Sequence, residues 1–168
     1  MENPFDPLAI TPDEASEFYR VLGRALWALG AFESYLVYYI VVVLKSSFDT
    51  MEAAEKELDR GFSSTLGNLL REFRKYRELL PDLDRRFDAF KIERDWLCHR
   101  IYRQNHTDLL NRPRFESLIR RLHAFKAEAT ALSDILDRSF DQWRAAQGIT
   151  QEELDAEIKR TLDSWKGA

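Results

Sequence analysis

This chain has little cysteine, proline or glycine, and that scarcity already narrows its class. A single cysteine, Cys98, excludes an intramolecular disulfide and a cysteine-rich metal site, and it favours a reducing compartment. Only 5 Pro and 6 Gly interrupt 168 residues, 45% of which are hydrophobic and 32% charged. That balance is typical of a helical globular protein and not of a disordered one. We therefore expect one domain over residues 1–168, with its core in about residues 12–147 and a C-terminal helix at about 150–166.

A hydrophobic run long enough to span a membrane is also missing. The apolar run at residues 35–44 is 10 residues long, whereas a spanning helix needs about 20. The first ten residues lack the basic region and apolar stretch of a signal peptide. We expect residues 35–44 to lie in a core helix, with a buried strand as the alternative because residues 40–43 are β-branched. The expected location is cytoplasmic, without membrane contact.

The net charge of -4 argues against a protein that binds nucleic acid nonspecifically over its whole surface. The charges are unevenly distributed, however. Residues 85–121 hold 10 basic and 5 acidic side chains, so a basic excess surrounds the segment discussed next. This stretch is either a solvated helix face or a surface that faces RNA.

Helix-capping patterns place most of the elements. Thr11 and Glu14 form a capping box around Pro12, and Thr150 with Glu153 forms a second one. The first predicted helix covers about residues 12–45. Asp49 or Thr50 caps a short helix that runs through Arg60 and is ended by Gly61, and Ser63, Ser64 or Thr65 opens the next, which ends at Pro81 and Asp82. Two longer helices follow at about 82–104 and 112–147, the second capped by Asn111, and then the C-terminal helix with its stripe Leu154, Ile158, Leu162 and Trp165. The predicted fold class is all-α, a compact up-down bundle of five to six helices.

The helix predicted at residues 82–104 contains an arginine within its apolar stripe. At about 100° per residue, one face carries Leu83, Phe87, Phe90, Arg94, Leu97 and Ile101. An unpaired charge there is unfavourable by several kcal/mol, so Arg94 needs a partner, a wet cavity or a ligand. On the neighbouring stripe, Asp95 and His99 are four residues apart, a spacing that lets a carboxylate orient an imidazole.

Arg94 and His99 lie about 140° apart on an ideal helix. Either the long arginine side chain sweeps round towards the histidine, or two protomers share the site across a two-fold axis. Arg100 and His106 form a competing pair. We favour Arg94 and His99 because they are in the middle of a helix beside Asp95.

An Arg and a His separated by four residues, with a polar residue directly after the Arg, resemble the Arg-x4-6-His signature of the HEPN domain family. A long first helix with an acidic residue, Glu33, and a middle helix that starts Thr65-Leu66-Gly67 are also similar to that family. Many members have Asn at the position of Asp95. Some have a tyrosine, modified by a partner nucleotidyltransferase, where this chain has Ile101, with Tyr102 one residue later.

The resemblance implies a HEPN-like endoribonuclease of the toxin or antiviral-defence type, which cleaves RNA through the RNA's own 2'-hydroxyl without a metal or cofactor. Arg94 would hold the phosphate, His99 would transfer the proton and Asp95 would orient His99. The substrate-binding residues would be Arg100, Arg103 and Tyr102, with Glu33 as a partner of Arg94. The implied partners are a second copy, bound through the motif helix, and a cognate antitoxin or nucleotidyltransferase.

Two other functions compete with this one. A catalytically inactive HEPN-like dimer would serve as a regulatory or interaction module, and a helical adaptor would bind through the apolar face of its first helix. In either case Arg94 is a structural ion-pair residue. Tyr102 then serves packing, and Glu33 is a structural carboxylate. We expect Cys98 to be a small core residue and not a nucleophile.

Overall fold

The fold is all-α, and the helices follow the predicted caps closely. A computed structural model describes residues 10–45, 48, 50–79, 82–153, 155, 156, 159 and 160. Within these residues the helices are α1 (Pro12–Tyr38, continued as a π-helix over Tyr39–Leu44), α2 (Met51–Phe62), α3 (Leu66–Phe73, continued as a 3-10 helix over Arg74–Leu79), α4 (Leu83–His99), α5 (Ile101–Asn105) and α6 (Arg112–Ala146), with a short 3-10 helix at Asp108–Leu110. That part of the chain contains no strand.

Side-chain caps begin the helices where the sequence predicted. The capping box at the start of α1 is complete, since Thr11 Oγ1 accepts from the Glu14 amide and the Glu14 carboxylate accepts from the Thr11 amide. Asn111 caps α6 in the same way by accepting from the Arg114 amide. The box between Thr150 and Glu153 is also present. The predicted stripe of Leu154, Ile158, Leu162 and Trp165 lies outside the described residues.

Two predicted boundaries were wrong. Gly61 does not end α2 but lies within it, against α1, where a Cβ atom would come within 2.5 Å of Val37 Cγ1. The residue is therefore a close-approach glycine, which its position near a helix end did not indicate. The motif helix is not continuous over 82–104, because the backbone leaves helical geometry at Arg100 (φ -124°, ψ -20°), between α4 and α5.

Ion pairs and aromatic contacts show how the long helices run. Glu14 near the start of α1 binds Arg112 at the start of α6, and Tyr39 near the other end hydrogen-bonds Ser139, so α1 and α6 are parallel. The pairs of α4 with α6, Arg86–Glu128 and Glu93–Arg121, run in the opposite order along the two helices, so α4 is antiparallel to α6. These three helices form the up-down centre of the bundle.

The core between them is aromatic. Phe32 of α1 packs edge-on against Phe90 of α4 at 4.9 Å between ring centroids, and Phe90 stacks on Phe125 of α6 at 4.9 Å. Phe73 of α3 meets Phe87 of α4 edge-on at 5.1 Å. Each ring that becomes fully buried stabilises the fold by about 1.5–3 kcal/mol. These contacts hold the C-terminal half of α4 against α1 and thereby place Arg94 beside Glu33.

Leu26 departs from the predicted burial of the first helix. The three- and four-residue spacing in this helix predicts a buried stripe of Phe18, Val21, Leu22, Ala25, Leu26, Leu29, Phe32, Leu36 and Ile40. All are buried or half-buried except Leu26, which is exposed, as are its neighbours Tyr19 and Trp27. Tyr19 and Trp27 line an open groove whose other wall is formed by Lys126 and Thr130 of α6, so α6 flanks this side of α1 without covering it. The result is an apolar outer face on α1.

Candidate functional site

The candidate site is centred on Arg94, whose side chain lies at the edge of the core between α4 and α1. The side chain is 21% exposed. Its Nε lies 3.5 Å from Glu33 Oε1, and its Nη1 donates to Asp95 Oδ1 at 3.2 Å. The four apolar neighbours Leu83, Phe87, Phe90 and Leu97 on its stripe are buried as predicted. The requirement of a partner for Arg94 is therefore met by two carboxylates, one from each helix.

Glu33 is the partner that comes from the other helix. Burial raises the pKa of its carboxyl above the ordinary range, and the attraction of the Arg94 guanidinium only partly opposes this. The contact between the two residues is an ion pair without hydrogen-bond geometry. Within the described part of the chain, the buried atoms Glu33 Oε1 and Arg94 Nε have no hydrogen-bond partner. The site therefore keeps one hydrogen-bond donor, Arg94 Nε, and one acceptor, Glu33 Oε1, that form no hydrogen bond with another described group of the protein.

His99 is brought to Arg94 within one protomer. It is the last residue of α4, and Arg94 Nη1 lies 3.4 Å from His99 Nε2. A guanidinium has only donors, so a hydrogen bond between the two groups needs His99 Nε2 as its acceptor. Of the two geometric solutions expected for the 140° offset, the swept arginine side chain is the one observed.

Asp95 does not have the predicted contact with His99. Its Oδ2 accepts from Lys91 Nζ at 2.9 Å and its Oδ1 from Arg94. The hydrogen bond from Lys91 is the main reason that the pKa of Asp95 lies below the ordinary value, and the bond from Arg94 adds to it. Both carboxylate oxygens are thus held by cations. Asp95 positions Arg94 and not the imidazole, because a lysine one turn earlier on the same face reaches it first.

Lys91 is a site residue that our sequence reasoning missed. Its signal was available, since Lys91 and Asp95 have the i, i+4 spacing of a helical ion pair. Lys91 also lies over Gly67 at the start of α3, where a Cβ atom would be 3.3 Å from Lys91 Cε. The small residue in the Thr65-Leu66-Gly67 start of α3 therefore leaves room for the lysine that holds Asp95.

A polar brace on the far side of α4 fixes the chain just after His99. Trp96 Nε1 donates to Asn105 Oδ1 at 3.0 Å, and Asn105 Nδ2 donates to Asp108 Oδ2 at 2.6 Å. The Arg121 guanidinium covers the Trp96 ring at 3.6 Å and binds Glu93. These contacts hold α5 at a set angle to α4 across the break at Arg100. They were not foreseen, because they join residues of four separate elements.

The three predicted substrate-binding residues project into solvent beyond this break. Arg100 and Arg103 are exposed, and Tyr102 is 84% exposed, with its ring 5.9 Å from that of His106. The packing role considered for Tyr102 is therefore wrong. None of the three has a recorded contact with Arg94 or His99, so they flank the site and do not form part of its centre.

Cys98 is exposed, so the expectation that it is a core residue was wrong. Although the residue is exposed overall, partial burial raises the pKa of its thiol, with a smaller opposing effect from Arg94. A thiol with a raised pKa is a poor nucleophile at neutral pH. Cys98 thus has no place in the chemistry of the site.

Among the described residues, no three His, Cys, Asp or Glu side chains are grouped so as to hold a metal ion. One described helix, α1 with its π-helical end, is long and apolar enough to cross a membrane by length and composition, a test that the core helix of a soluble protein also passes. Comparison with protein-family models, curated proteins and solved structures found no match.

Proposed function

We propose that this protein is a HEPN-like endoribonuclease that cleaves RNA through the 2'-hydroxyl of the substrate, without a metal ion. The observation that carries the proposal is the 3.4 Å contact between Arg94 Nη1 and His99 Nε2 at the end of α4. A guanidinium and an imidazole side by side can both reach one phosphodiester group once the guanidinium turns from the imidazole to the phosphate. The motif Arg94-Asp95 to His99, which resembles that family, supports the same reaction.

Each side chain has a defined part in this reaction. His99 Nε2 takes the proton of the 2'-hydroxyl, whose oxygen attacks the phosphorus atom. Arg94 leaves His99 and donates to the phosphate oxygens, where negative charge grows in the transition state. The bond between phosphorus and the 5'-oxygen breaks, and this oxygen takes a proton from water or from the protonated His99. One product ends in a 2',3'-cyclic phosphate and the other in a 5'-hydroxyl. Asp95 and Glu33 hold Arg94 in place, so they are positioning residues.

The surroundings of the site suit an RNA strand. Arg100 and Arg103 lie directly after His99 and are exposed, so they are free to contact phosphates next to the cleaved one. Tyr102 offers an exposed ring to a neighbouring base. This arrangement gives an acidic protein a local cationic surface, in keeping with the basic excess of residues 85–121.

The test is RNA cleavage by purified protein in the presence of EDTA. His99→Ala should reduce the rate by about 100-fold or more, as expected on removal of a general acid or base. His123→Ala is the matched control, since His123 is an exposed histidine on α6, and it should cleave like the wild type. Products should end in a 2',3'-cyclic phosphate. If the wild-type protein cleaves RNA at no salt concentration, the proposed endoribonuclease activity is refuted.

The second candidate function is an inactive dimeric interaction module. It is favoured by the outer face of α1, where Trp27 is 83% exposed beside Leu26 and Tyr19. A dimer through the motif helix would instead use the outer face of α4, which carries Ile92 at 67% exposure. Light scattering on Trp27→Glu and Ile92→Glu distinguishes these surfaces, because only the variant on the true interface should become monomeric. A dimer without RNA cleavage would favour this second function.

A partner regulator and a cytoplasmic location belong to the same proposal. A toxin-type ribonuclease needs an antitoxin or a modifying nucleotidyltransferase to restrain it. With Ile101 in place of the tyrosine that some HEPN proteins carry, Tyr102 is the nearest residue that a nucleotidyltransferase would modify, and it is exposed. Mass spectrometry of Tyr102 after incubation with a genomically adjacent nucleotidyltransferase tests this point.

A further inference from the structure

A second concave site lies away from Arg94, in a cleft of about 470 Å³ between the π-helical end of α1, α2 and α3. Its floor is apolar and well packed, formed by Val37, Ile40, Val41 and Leu69. Gly61 lets α2 approach Val37 closely, which gives the cleft one wall. The volume lies within the range of about 300–1,000 Å³ that is usual for small-molecule sites. None of the Arg94 site residues lines it.

The rim of this cleft is cationic. It carries Lys45, Arg60, Arg71 and Lys75 against two carboxylates, those of Glu57 and Glu72. Hydrogen bonds from the rim lysines, Lys45 to Glu57 and Lys75 to Glu72, hold the pKa values of both glutamates below the ordinary range. Both are therefore ionised at neutral pH. Four cations and two anions leave a formal charge of +2 in the cleft of a protein whose net charge is -4.

The geometry of the pairs leaves part of this charge directed into the cleft. Lys45 Nζ lies between the two glutamates, at 2.8 Å from Glu57 and 3.7 Å from Glu72, and Lys75 binds Glu72 at 2.6 Å. Arg60 also binds Glu57, at 3.2 Å. Three cations therefore share the two carboxylates. Arg71 hydrogen-bonds only the uncharged amide of Asn68, at 3.2 Å, among the recorded contacts. No carboxylate of the described residues forms an ion pair with Arg71, so its positive charge is not balanced by a direct contact.

The acidic residues of α2 do not cancel this excess. Glu52, Glu55 and Asp59 follow one another at three- and four-residue spacing and are exposed, so they share one face of the helix. Glu57 and Gly61, which line the cleft, are on the other side of α2. The concave shape and the apolar floor strengthen the field of the rim cations, because less water screens them than on an open surface.

We propose that this cleft binds a multiply charged phosphate group, with Arg71 as its first donor and the apolar floor beneath the body of the ligand. Lys75 and Arg60, which share the two rim carboxylates with Lys45, are the further donors. The phosphates belong either to a free nucleotide or to an RNA strand. Arg71 and Arg60 present guanidinium groups suited to paired contacts with phosphate oxygens. Lys45, held between two carboxylates, fixes the glutamates of the rim and keeps them away from the ligand.

The experiment uses calorimetry with ADP, pyrophosphate and adenosine on the full-length protein, together with fluorescence anisotropy on a labelled RNA 20-mer. ADP and pyrophosphate should bind, and adenosine should bind at least about tenfold more weakly than ADP because it lacks the charge. In the variant Arg71→Gln/Lys75→Gln, the affinity for ADP should fall by about tenfold or more. If the phosphates come from RNA, the 20-mer should lose affinity in this variant while ADP does not bind to the wild type.

The control is Lys126→Gln/Arg138→Gln, which removes the same two charges from exposed positions on α6 that lie outside residues 85–121. It should bind like the wild type. Arg71 and Lys75 are exposed, so the cleft variant should fold, and Arg71→Gln alone provides a second variant that changes a single charge. Absence of binding by ADP, pyrophosphate and RNA, or equal loss in the control, would overturn the proposal.

Cleavage of a dinucleotide separates this proposal from the ribonuclease. A dinucleotide has a single phosphodiester group, which the Arg94–His99 site would hold, so its cleavage should be unchanged by Arg71→Gln/Lys75→Gln. If this variant loses ADP or RNA binding but still cleaves the dinucleotide, the result supports a phosphate site in the cleft that is separate from the Arg94–His99 site. An inactive wild-type protein whose ADP binding still depends on Arg71 would refute the ribonuclease and leave the cleft standing.

Discussion

Replacement of both charges of the Arg94–Glu33 pair separates a structural role of Arg94 from a catalytic one. At the observed 3.5 Å, opposite unit charges attract by about 5 kcal/mol at an effective dielectric constant of about 20. The desolvation of both groups offsets most of this gain, as the raised pKa of Glu33 shows. The pair therefore contributes little net stability, although loss of one member leaves the other unfavourably buried.

The expected magnitudes follow from the contacts of each partner. Arg94→Met should lower the free energy of unfolding by about 2 kcal/mol, because Glu33 loses its recorded cation partner. Glu33→Leu should lower it by only about 1 kcal/mol, since Arg94 keeps Asp95. The double variant should lose about 1 kcal/mol in total, about 2 kcal/mol less than the sum of the single variants.

Urea unfolding followed by circular dichroism measures these values, and RNA cleavage in EDTA is measured on the same samples. We expect the double variant to regain stability but not cleavage, because Arg94 is needed on the phosphate. Additive losses of stability would show that the two charges are not coupled, and the reasoning on the ion pair would be refuted. Cleavage by the double variant at the wild-type rate would refute the catalytic role of Arg94.

The other predictions concern pH and packing. In Arg94→Met the pKa of Glu33 should rise further, because the attraction that lowers it is gone. The folded state then binds this proton more tightly than the unfolded state, so stability is lost as pH rises, and the deficit against the wild type should be larger at about pH 8 than at about pH 5 in urea titrations. Gly61→Ala should destabilise the fold by about 1–3 kcal/mol in thermal or urea unfolding, because its Cβ would meet Val37. Gly30→Ala, on an open face of α1, should instead stabilise it by about 0.5–1 kcal/mol, and equal effects of the two changes would contradict this account of the close approach.

Much of the fold could be predicted because helix signals are local. The caps at Thr11 and Asn111 act within three residues of the helix start, and the apolar stripes repeat within one element. Gly61 shows where such signals fail. A glycine near a predicted helix end is typical of a C-terminal cap, but here it is required by the approach of Val37 from another helix.

The candidate site was predictable in its members and not in its contacts. The position of Arg94 in an apolar stripe follows from periodicity alone, and so does its need for a partner. Asp95 could pair with Lys91 or His99, both four residues away, and the sequence does not decide between them. The exposure of Cys98 likewise depends on which side of α4 its neighbours cover.

By itself, the sequence of this protein determines an all-α chain, its helix starts and the placement of one arginine where a charge needs a partner. Only the tertiary structure decides that Glu33 supplies that partner, that the Arg94 side chain sweeps to His99, and that Arg71 and Lys75 face a common cleft. The physical reason is the distance over which each kind of interaction acts. Capping and periodicity act over one or two turns of helix, whereas the conformation of a long charged side chain is set by groups on other helices.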